Sequence, residues 1–152
     1  MKYGYQKTVS ISFEDVDSRI RSALAENGFG VITEIDIKKT FKEKLDLEYP
    51  RFRILGACNP ELAEKALKMQ SEVAMLMPCN VVFWENEDKT VTLSAIDAEQ
   101  QLSVTEHLGL IQIGKDVNVM LKNTTHIVTS NLTMVLLKKT ILSICHLNVN
   151  QF

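Results

Sequence analysis

The sequence predicts one α+β domain in which a mainly antiparallel sheet carries its main helices on one face. Residues 3–37 have the apolar spacing of a strand, a helix and a second strand. Two later apolar strands are separated by only the polar stretch Asn-Glu-Asp-Lys, which predicts a hairpin. A helical pattern closes this part of the chain at residues 107–122. Because the late strands pair through a short turn, the pattern favours an α+β sheet over a doubly wound parallel sheet.

The first unit begins with alternating residues that predict a strand over residues 3–11. Ser12 is expected to cap the following helix, with Asp15 as its capping-box partner. Gly28 stands where a helix ends in a left-handed residue. The next strand, Gly30–Ile37, is expected to place one set of side chains on a single face: Val31, Thr33, Ile35 and Ile37.

The middle of the chain predicts a charged surface helix over residues 38–47, a strand beginning at Arg51, and another helix. Asn59 is a favourable N-cap for that helix, and Pro60 suits its first position. Residues 79–85 are apolar on both sides, which indicates a central strand. Residues 90–96 form its expected hairpin partner.

Composition and charge exclude several classes of partner. The chain has 152 residues, of which 45% are hydrophobic, and a formal net charge of −2, so nothing favours binding to nucleic acid or to an anionic membrane. The first residues contain no apolar run typical of a signal peptide, and an odd number of cysteines, three, suits a reducing compartment. The expected location is therefore the cytoplasm.

The C-terminal segment differs in kind from the rest, because Asp116 is the last acidic residue and aliphatic side chains dominate after it. We expect one domain over residues 1–123 and an atypical extension over residues 124–152. This extension either adds a helix that folds back on the domain or packs across a subunit interface. Left exposed, it would favour association.

Two Cys-Asn pairs mark the candidate ligand pocket, which comprises Cys58, Asn59, Cys79 and Asn80. If the two strands lie side by side, the thiols share one end of the sheet. They then form either a redox pair or two ligands of a soft metal, or they are small buried apolar residues. His107 is a candidate third ligand, with a surface position at the start of the last helix as the alternative. No catalytic group and no cofactor is indicated.

These same stretches, Gly56–Pro60 and Pro78–Val82, together with Ile96 and Asp97, resemble the family called domain of unknown function 302 over residues 3–123. The resemblance implies a fold similar to half of the TATA-binding protein, with the order strand, helix, four strands, helix, often paired as dimers. It implies no activity, and the likeness of fold gives no reason to expect DNA binding.

The sequence therefore predicts a non-catalytic homodimer that binds a small ligand or a partner. The alternative is a thiol-dependent redox or metal-binding protein that uses Cys58 and Cys79. A dimer is expected because the central strand is apolar on both sides while helices cover only one face of the sheet. A monomer whose own tail covers the open face is the competing possibility.

Overall fold

A computed structural model of the chain describes residues 3–130 and confirms the α+β class. The strands and helices, in chain order, are β1 Gly4–Val9, α1 Phe13–Glu26, β2 Gly30–Asp36, α2 Ile37–Leu45, β3 Phe52–Cys58, α3 Pro60–Met69, β4 Cys79–Glu85, β5 Val91–Ile96, α4 Ala98–Ser103 and α5 Leu108–Thr129. A 3-10 helix, Ser71–Leu76, lies between α3 and β4.

The sheet has five strands in the order β1-β5-β4-β3-β2. All its neighbouring strands are antiparallel. The predicted hairpin is β4–β5, and β4 occupies the middle of the sheet as its apolar character on both sides predicts. The antiparallel pairing of β3 with β4 brings the end of one strand beside the beginning of the other, where Ala57 lies opposite Cys79.

The core lies between one face of the sheet and the two longest helices, α1 and α5, so their predicted position on one face is confirmed. Alternate strand residues point into this layer because successive side chains of a strand face opposite ways. Burying each large aliphatic or aromatic side chain contributes about 1.5–3 kcal/mol. The fully buried large side chains of α1, α5 and the strands are Val16, Ile20, Leu24, Leu55, Val81, Phe83, Val91, Leu93, Leu110, Leu121 and Val128.

The predicted helix termini at the first and third helices are also found. The Ser12 hydroxyl accepts a hydrogen bond from the Asp15 amide at 3.0 Å. The Asn59 side chain accepts one from the Leu62 amide at 3.1 Å. Gly28 has a φ of 77° after the end of α1, a conformation that costs glycine little.

The predicted single face of β2 is wrong, because a bulge shifts the register between Val31 and Thr33. Val31 pairs with Ala57 on the helix-covered face. After the bulge, Thr33 and Ile35 point to the opposite face, since one extra residue reverses every following side chain. Ile37, the fourth residue predicted on that face, instead begins α2.

The last helix, α5, is longer than predicted, and the short helix α4 was not predicted. The structure extends α5 to Thr129 rather than residue 122, so the described part of the expected extension continues this helix. Val128 is 1% exposed, which explains why the helix continues past the predicted end. Residues 131–152, on which the rest of that prediction falls, lie outside the described residues. None of the helices in residues 3–130 is long and apolar enough to cross a membrane.

The second face of the sheet lies away from the core, and we call it the open face. The strand register places one uncharged row across its centre, Ile35, Ile54, Val82, Ser94 and Gln6. Beside this row, the Phe52 and Trp84 rings stack with centroids 5.5 Å apart. Ile35 is 46% exposed, whereas Ile54, Val82 and the two rings are half-buried.

Candidate functional site

A cavity of about 50 Å³ lies where the end of β3 and the beginning of β4 meet helices α3, α4 and α5. None of the described residues that line it is charged. Its walls are largely aliphatic, and its polar groups are two amides and two thiols. The lining residues are Phe29, Ala57, Cys58, Asn59, Leu62, Ala63, Ala66, Val73, Leu76, Met77, Pro78, Cys79, Ala98, Gln101, Leu102, Ile113 and Val117.

The two predicted cysteines share this cavity. Cys58 ends β3 and Cys79 begins β4. Because Ala57 lies opposite Cys79, the Cα atoms of Cys58 and Cys79 are roughly 6–7 Å apart by the spacing of antiparallel strands. Both thiols are free. The two cysteines therefore stand at one end of the sheet, but alternation from Ala57 gives Cys58 the face of Gly56, opposite to the face of Cys79.

Burial sets the protonation state of both thiols. It raises the pKa of Cys58, and burial together with the neighbouring Cys58 raises the pKa of Cys79 to about 11. At pH 7 roughly one Cys79 side chain in 10⁴ is a thiolate at that pKa. Because the thiolate is the reactive form, Cys79 lacks the electrostatic activation of a catalytic or redox-active thiol.

Asn59 lines the cavity, but both ends of its amide are engaged in the fold. Its oxygen caps α3 at the Leu62 amide. Its Nδ2 donates to the Gly28 carbonyl at 3.0 Å, which fixes the start of α3 to the turn that follows α1. These two bonds fix the orientation of the amide in the cavity wall.

Asn80 lies apart from the other three predicted site residues. It is exposed, is absent from the cavity wall, and pairs with Gly56 on the open face. Alternation along β4 explains this placement, since Cys79 and Asn80 are successive residues of one strand and point to opposite faces. The structure thus brings together Cys58, Asn59 and Cys79 but not Asn80.

Gln101 is a wall residue that sequence reasoning missed, because α4 was not predicted. Its side-chain amide makes no hydrogen bond within residues 3–130, although it is half-buried beside the cavity. A signal for α4 is present in the sequence: Asp97 followed three residues later by Gln100 is a capping-box pattern. The Asp97 carboxylate accepts from the Gln100 amide at 3.0 Å.

Asn118 of α5 holds the start of α4 against the cavity. It is 4% exposed. Its Oδ1 accepts from the buried Ala98 amide at 2.8 Å, and its Nδ2 donates to the Asp97 carboxylate at 2.8 Å. Burial acts to raise the pKa of Asp97, but hydrogen bonds from Gln100 and Asn118 outweigh it and lower that pKa overall.

His107 is placed as the surface alternative predicts. Its Nδ1 accepts from the amides of Gly109 and Leu110 at 3.1 and 3.3 Å, so it caps α5. It is exposed and absent from the cavity wall. Within residues 3–130, no group of three or more His, Cys, Asp or Glu side chains is arranged to hold a metal ion.

A cluster of ion pairs between β2, β3 and α1 is the main concentration of charge among residues 3–130. Arg53 contacts three carboxylates: Asp17 at 2.8 Å, Glu34 at 3.0 Å and Asp36 at 3.1 Å. Arg21 pairs with Asp17 and Glu34 as well. Two arginines face three carboxylates, so the cluster ties β2 to its neighbours and carries a net charge of −1.

Comparisons with known proteins agree on the family and give no activity. A crystal structure of an uncharacterised conserved protein, DUF302, from Bacillus stearothermophilus is similar with a TM-score of 0.75 and 22% identity, covering 82% of this chain and 96% of that one. An uncharacterised protein from Aquifex aeolicus (strain VF5) is 27% identical over 92 residues, which are 60% of this chain.

The chain spans 58% of the length of that Aquifex relative. The family model for the domain of unknown function DUF302 matches residues 5–127, close to the range of the predicted resemblance. The match includes β1 to β5 and nearly all of α5. The chain belongs to the DUF302 family.

Proposed function

We propose that this protein is a cytoplasmic, non-catalytic binding module that holds a small, uncharged, mainly apolar ligand in the cavity between β3, β4 and α3–α5. The observation that supports this most directly is the wall itself, which combines aliphatic side chains with the unpaired amide of Gln101 and lacks a charged residue within residues 3–130. Such a site selects a ligand by shape and by one polar contact.

The size of the cavity limits the ligand. A volume of about 50 Å³ holds roughly three or four groups of the size of a water molecule or methyl group. A short alcohol or the end of an aliphatic chain fits this limit. A carboxylate of the same size should not bind, because burying an ionised group without a partner costs roughly several kcal/mol.

Binding at the cavity can be tested with two probes of matched size, propan-1-ol and propionate. Propan-1-ol should shift the methyl NMR signal of Met77, which lines the cavity, and leave that of Met75, which is 81% exposed. Propionate should shift neither. Equal shifts at both methionines, or equal effects of both probes, would refute the proposal.

Filling the cavity supplies the control for this test. Ala66→Leu places a larger side chain in the wall at a residue that is 4% exposed and should abolish the response to propan-1-ol. Ala25→Leu makes the same change at an exposed position of α1 and should leave it intact. Circular dichroism shows whether each variant is folded, and a folded Ala66→Leu protein that still responds contradicts the assignment.

The alternative function, a thiol-dependent redox protein, has one specific observation in its favour. The separation estimated for the Cys58 and Cys79 Cα atoms, roughly 6–7 Å, falls at the upper end of the range seen for disulfides, although alternation along β3 turns their Cβ atoms to opposite faces. The raised pKa values of both thiols weigh against rapid exchange. A loss of two mass units under mild glutathione disulfide, blocked by Cys58→Ser, would favour this alternative over the binding module.

The proposed module is also a homodimer, with a second copy on the open face. Its central row, Ile35, Ile54, Val82, Ser94 and Gln6, is uncharged. In an isologous interface a residue near the two-fold axis meets its own copy, so an uncharged face brings no like charges together. The stacked aromatic rings of Phe52 and Trp84 supply the large apolar contacts typical of such interfaces.

Light scattering tests the dimer, since a mass of 17.2 kDa at micromolar concentration would refute it. Val82→Glu should give that monomer mass because it places two carboxylates at the two-fold interface. Val119→Glu is the matched control, at a residue of α5 that is 61% exposed. A chain ending at Ser130 keeps all of α5, so loss of its dimer would assign the interface to residues 131–152 instead.

A further inference from the structure

The outer edge of β1 is a regular strand edge that lies beside a wide groove. Among residues 3–130, β1 is an end strand of the sheet and pairs with β5 in unbroken register along its whole length. The other end strand, β2, is interrupted by its bulge. The groove, of about 1140 Å³, is lined by residues 3–8 in succession and by Lys122, Thr125 and His126 of α5. Because successive side chains of a strand face opposite ways, a lining that includes every residue of the stretch indicates that the groove runs along the backbone edge.

The hydrogen-bond ladder shows which backbone groups of β1 point toward this groove. The Asp97 amide donates to the Tyr3 carbonyl at 2.9 Å, and the β1–β5 register, continued by one residue, places these two residues opposite each other. They are therefore a hydrogen-bonded pair, and such pairs alternate with non-hydrogen-bonded ones. Thr8 and Thr92 belong to the second kind, and their hydroxyl oxygens lie 3.0 Å apart, as the closer side chains of such a pair allow. The N–H and C=O groups of Gln6 and Thr8 consequently point away from β5.

Helix α5 runs beside β1 in the same direction. Its Asn118 side chain donates to the Asp97 carboxylate at 2.8 Å, beside the beginning of β1. Four residues later, the Lys122 ammonium lies 4.4 Å from the centre of the Tyr5 ring. Four residues of helix advance about 6 Å, and two residues of strand advance about 6–7 Å, so helix and strand keep step. The same spacing places the end of α5 level with the end of β1.

We propose that residues 131–142 add to the outer edge of β1 as an antiparallel sixth strand. The chain leaves α5 at Ser130 with an extended backbone, at a φ of −67° and a ψ of 126°. It does so at the end of β1 where an antiparallel strand begins. About three or four residues, at roughly 3.3 Å each, cross the distance of about 10 Å between the helix layer and the sheet. The rest of the segment is long enough to match the six residues of β1.

The composition of this segment suits a strand. It contains aliphatic and β-branched residues, such as Val135 and Ile141, and its sequence has no proline, glycine or acidic residue. Main-chain hydrogen bonds to Gln6 and Thr8 supply the affinity, as in other cases of strand addition. Because the segment is joined to α5, its effective concentration at the edge is on the order of millimolar. The edge lies apart from the cavity and is not the open face, so this inference depends neither on the cavity ligand nor on the dimer.

Amide hydrogen exchange, measured by NMR at each residue of β1, tests the sixth strand. The full chain is compared with a chain that ends at Ser130 and keeps all of α5. The Gln6 and Thr8 amides should exchange at least about tenfold faster in the shortened chain. The Tyr5 and Lys7 amides, which face β5, should be equally protected in both chains. Equal rates at Gln6 and Thr8 in the two chains would overturn the proposal.

Two proline substitutions in the full chain provide the same test without shortening it. Successive N–H groups of a strand point to opposite sides, so either Val135→Pro or Leu136→Pro must remove a hydrogen bond to β1. That variant should let Gln6 and Thr8 exchange as fast as in the shortened chain. Val149→Pro, outside the segment, is the matched control and should change neither rate. If both substitutions leave the two rates unchanged, the sixth strand is refuted.

A second copy of the chain is the competing occupant of this edge. A strand from the same chain protects Gln6 and Thr8 to the same extent at every protein concentration, whereas a partner's protection follows mass action. Exchange is therefore measured in a dilution series of the full chain, with circular dichroism to show that every variant is folded. Protection that falls on dilution and persists in the shortened chain would assign the edge to a second copy and overturn the proposal.

Discussion

Replacing Asn118 by alanine should strongly destabilise the protein, because this side chain connects α5 to the beginning of α4. The substitution removes the acceptor of the Ala98 amide and a donor to the Asp97 carboxylate, both at 2.8 Å. Ala98 is only 1% exposed, so water cannot easily replace the lost acceptor. The consequence is a buried N–H group without a partner.

The expected loss of stability follows from these contacts. A buried donor left unsatisfied costs about 1–3 kcal/mol, and a hydrogen bond to a charged group contributes about 1.5–3 kcal/mol. Asp97 keeps its bond from the Gln100 amide, and alanine is the better helix former by roughly 0.5 kcal/mol. Together these effects predict a net decrease of about 2–4 kcal/mol in the free energy of unfolding.

Urea denaturation measures this change through the fluorescence of Trp84, the single tryptophan of the chain. The matched control is Asn123→Ala, the same substitution at an exposed position of α5, where we expect a change within about 0.5 kcal/mol. If the two variants unfold at the same urea concentration with the same slope, the role assigned to Asn118 is refuted. If the free energy of unfolding of Asn118→Ala equals that of the wild type, the predicted loss of about 2–4 kcal/mol is refuted.

Three further predictions follow from the residues around the cavity. Gly56→Ala should destabilise the fold by about 1–3 kcal/mol, since the new Cβ would collide with the Thr33 hydroxyl and lie 2.6 Å from the Pro78 ring. Thermal unfolding measures this change, and an unchanged midpoint would contradict the close contacts. Asn59→Ala should cost about 1 kcal/mol through the lost N-cap, whereas Asn59→Asp, which keeps the capping oxygen, should retain most of the stability in the same assay. Asp97→Asn tests the pH dependence of stability. Burial acts to raise the pKa of Asp97, but the hydrogen bonds at the start of α4 outweigh it and lower that pKa. A lowered pKa in the folded state contributes stability above the unfolded value of about 3.9, and that contribution is lost as the pH falls through the folded pKa. The wild type should therefore lose more stability than Asp97→Asn between pH 6 and pH 3, and parallel losses in urea titrations would contradict this.

Most of the fold could be predicted from the sequence because local signals and packing agree. The hairpin β4–β5, the central position of β4 and the caps at Ser12 and Asn59 each depend on a few neighbouring residues. These features depend on contacts between residues close together in the sequence, so periodicity and turn chemistry are sufficient to predict them.

The elements that were missed or misplaced depend on contacts distant in sequence. The bulge after Val31 is invisible to a period-two pattern, since only the pairing with β3 defines it. The short helix α4 is held by Asn118, 20 residues further on from Ala98, and six residues are too few for a helical period to stand out. Gln101 entered no prediction for this reason, although it lies in the cavity wall.

The candidate site shows the same difference between features that depend on local sequence and features that depend on strand pairing. Cys58, Asn59 and Cys79 were predicted together because they stand where adjacent antiparallel strands end and begin, a position that the sequence of elements determines. Asn80 was grouped with them by its neighbour in the chain, whereas alternation along β4 sends it to the other face. The same alternation along β3 gives Cys58 the face of Gly56, so Cys58 and Cys79 share a sheet end while their side chains leave their strands on opposite faces.

The two Cys-Asn stretches can now be divided into residues that the fold occupies and residues that remain free for binding. In the first, Gly56 leaves room for the Pro78 ring, and Asn59 uses both ends of its amide in hydrogen bonds to the backbone. In the second, Pro78 fills that space and Asn80 points away from the cavity. The sulfur atoms have no such engagement, and thiols are weak hydrogen-bonding groups that an apolar wall tolerates without a partner. Serine at Cys58 or Cys79 therefore changes the cavity wall without removing a hydrogen bond of the fold, which no change to Asn59 can do.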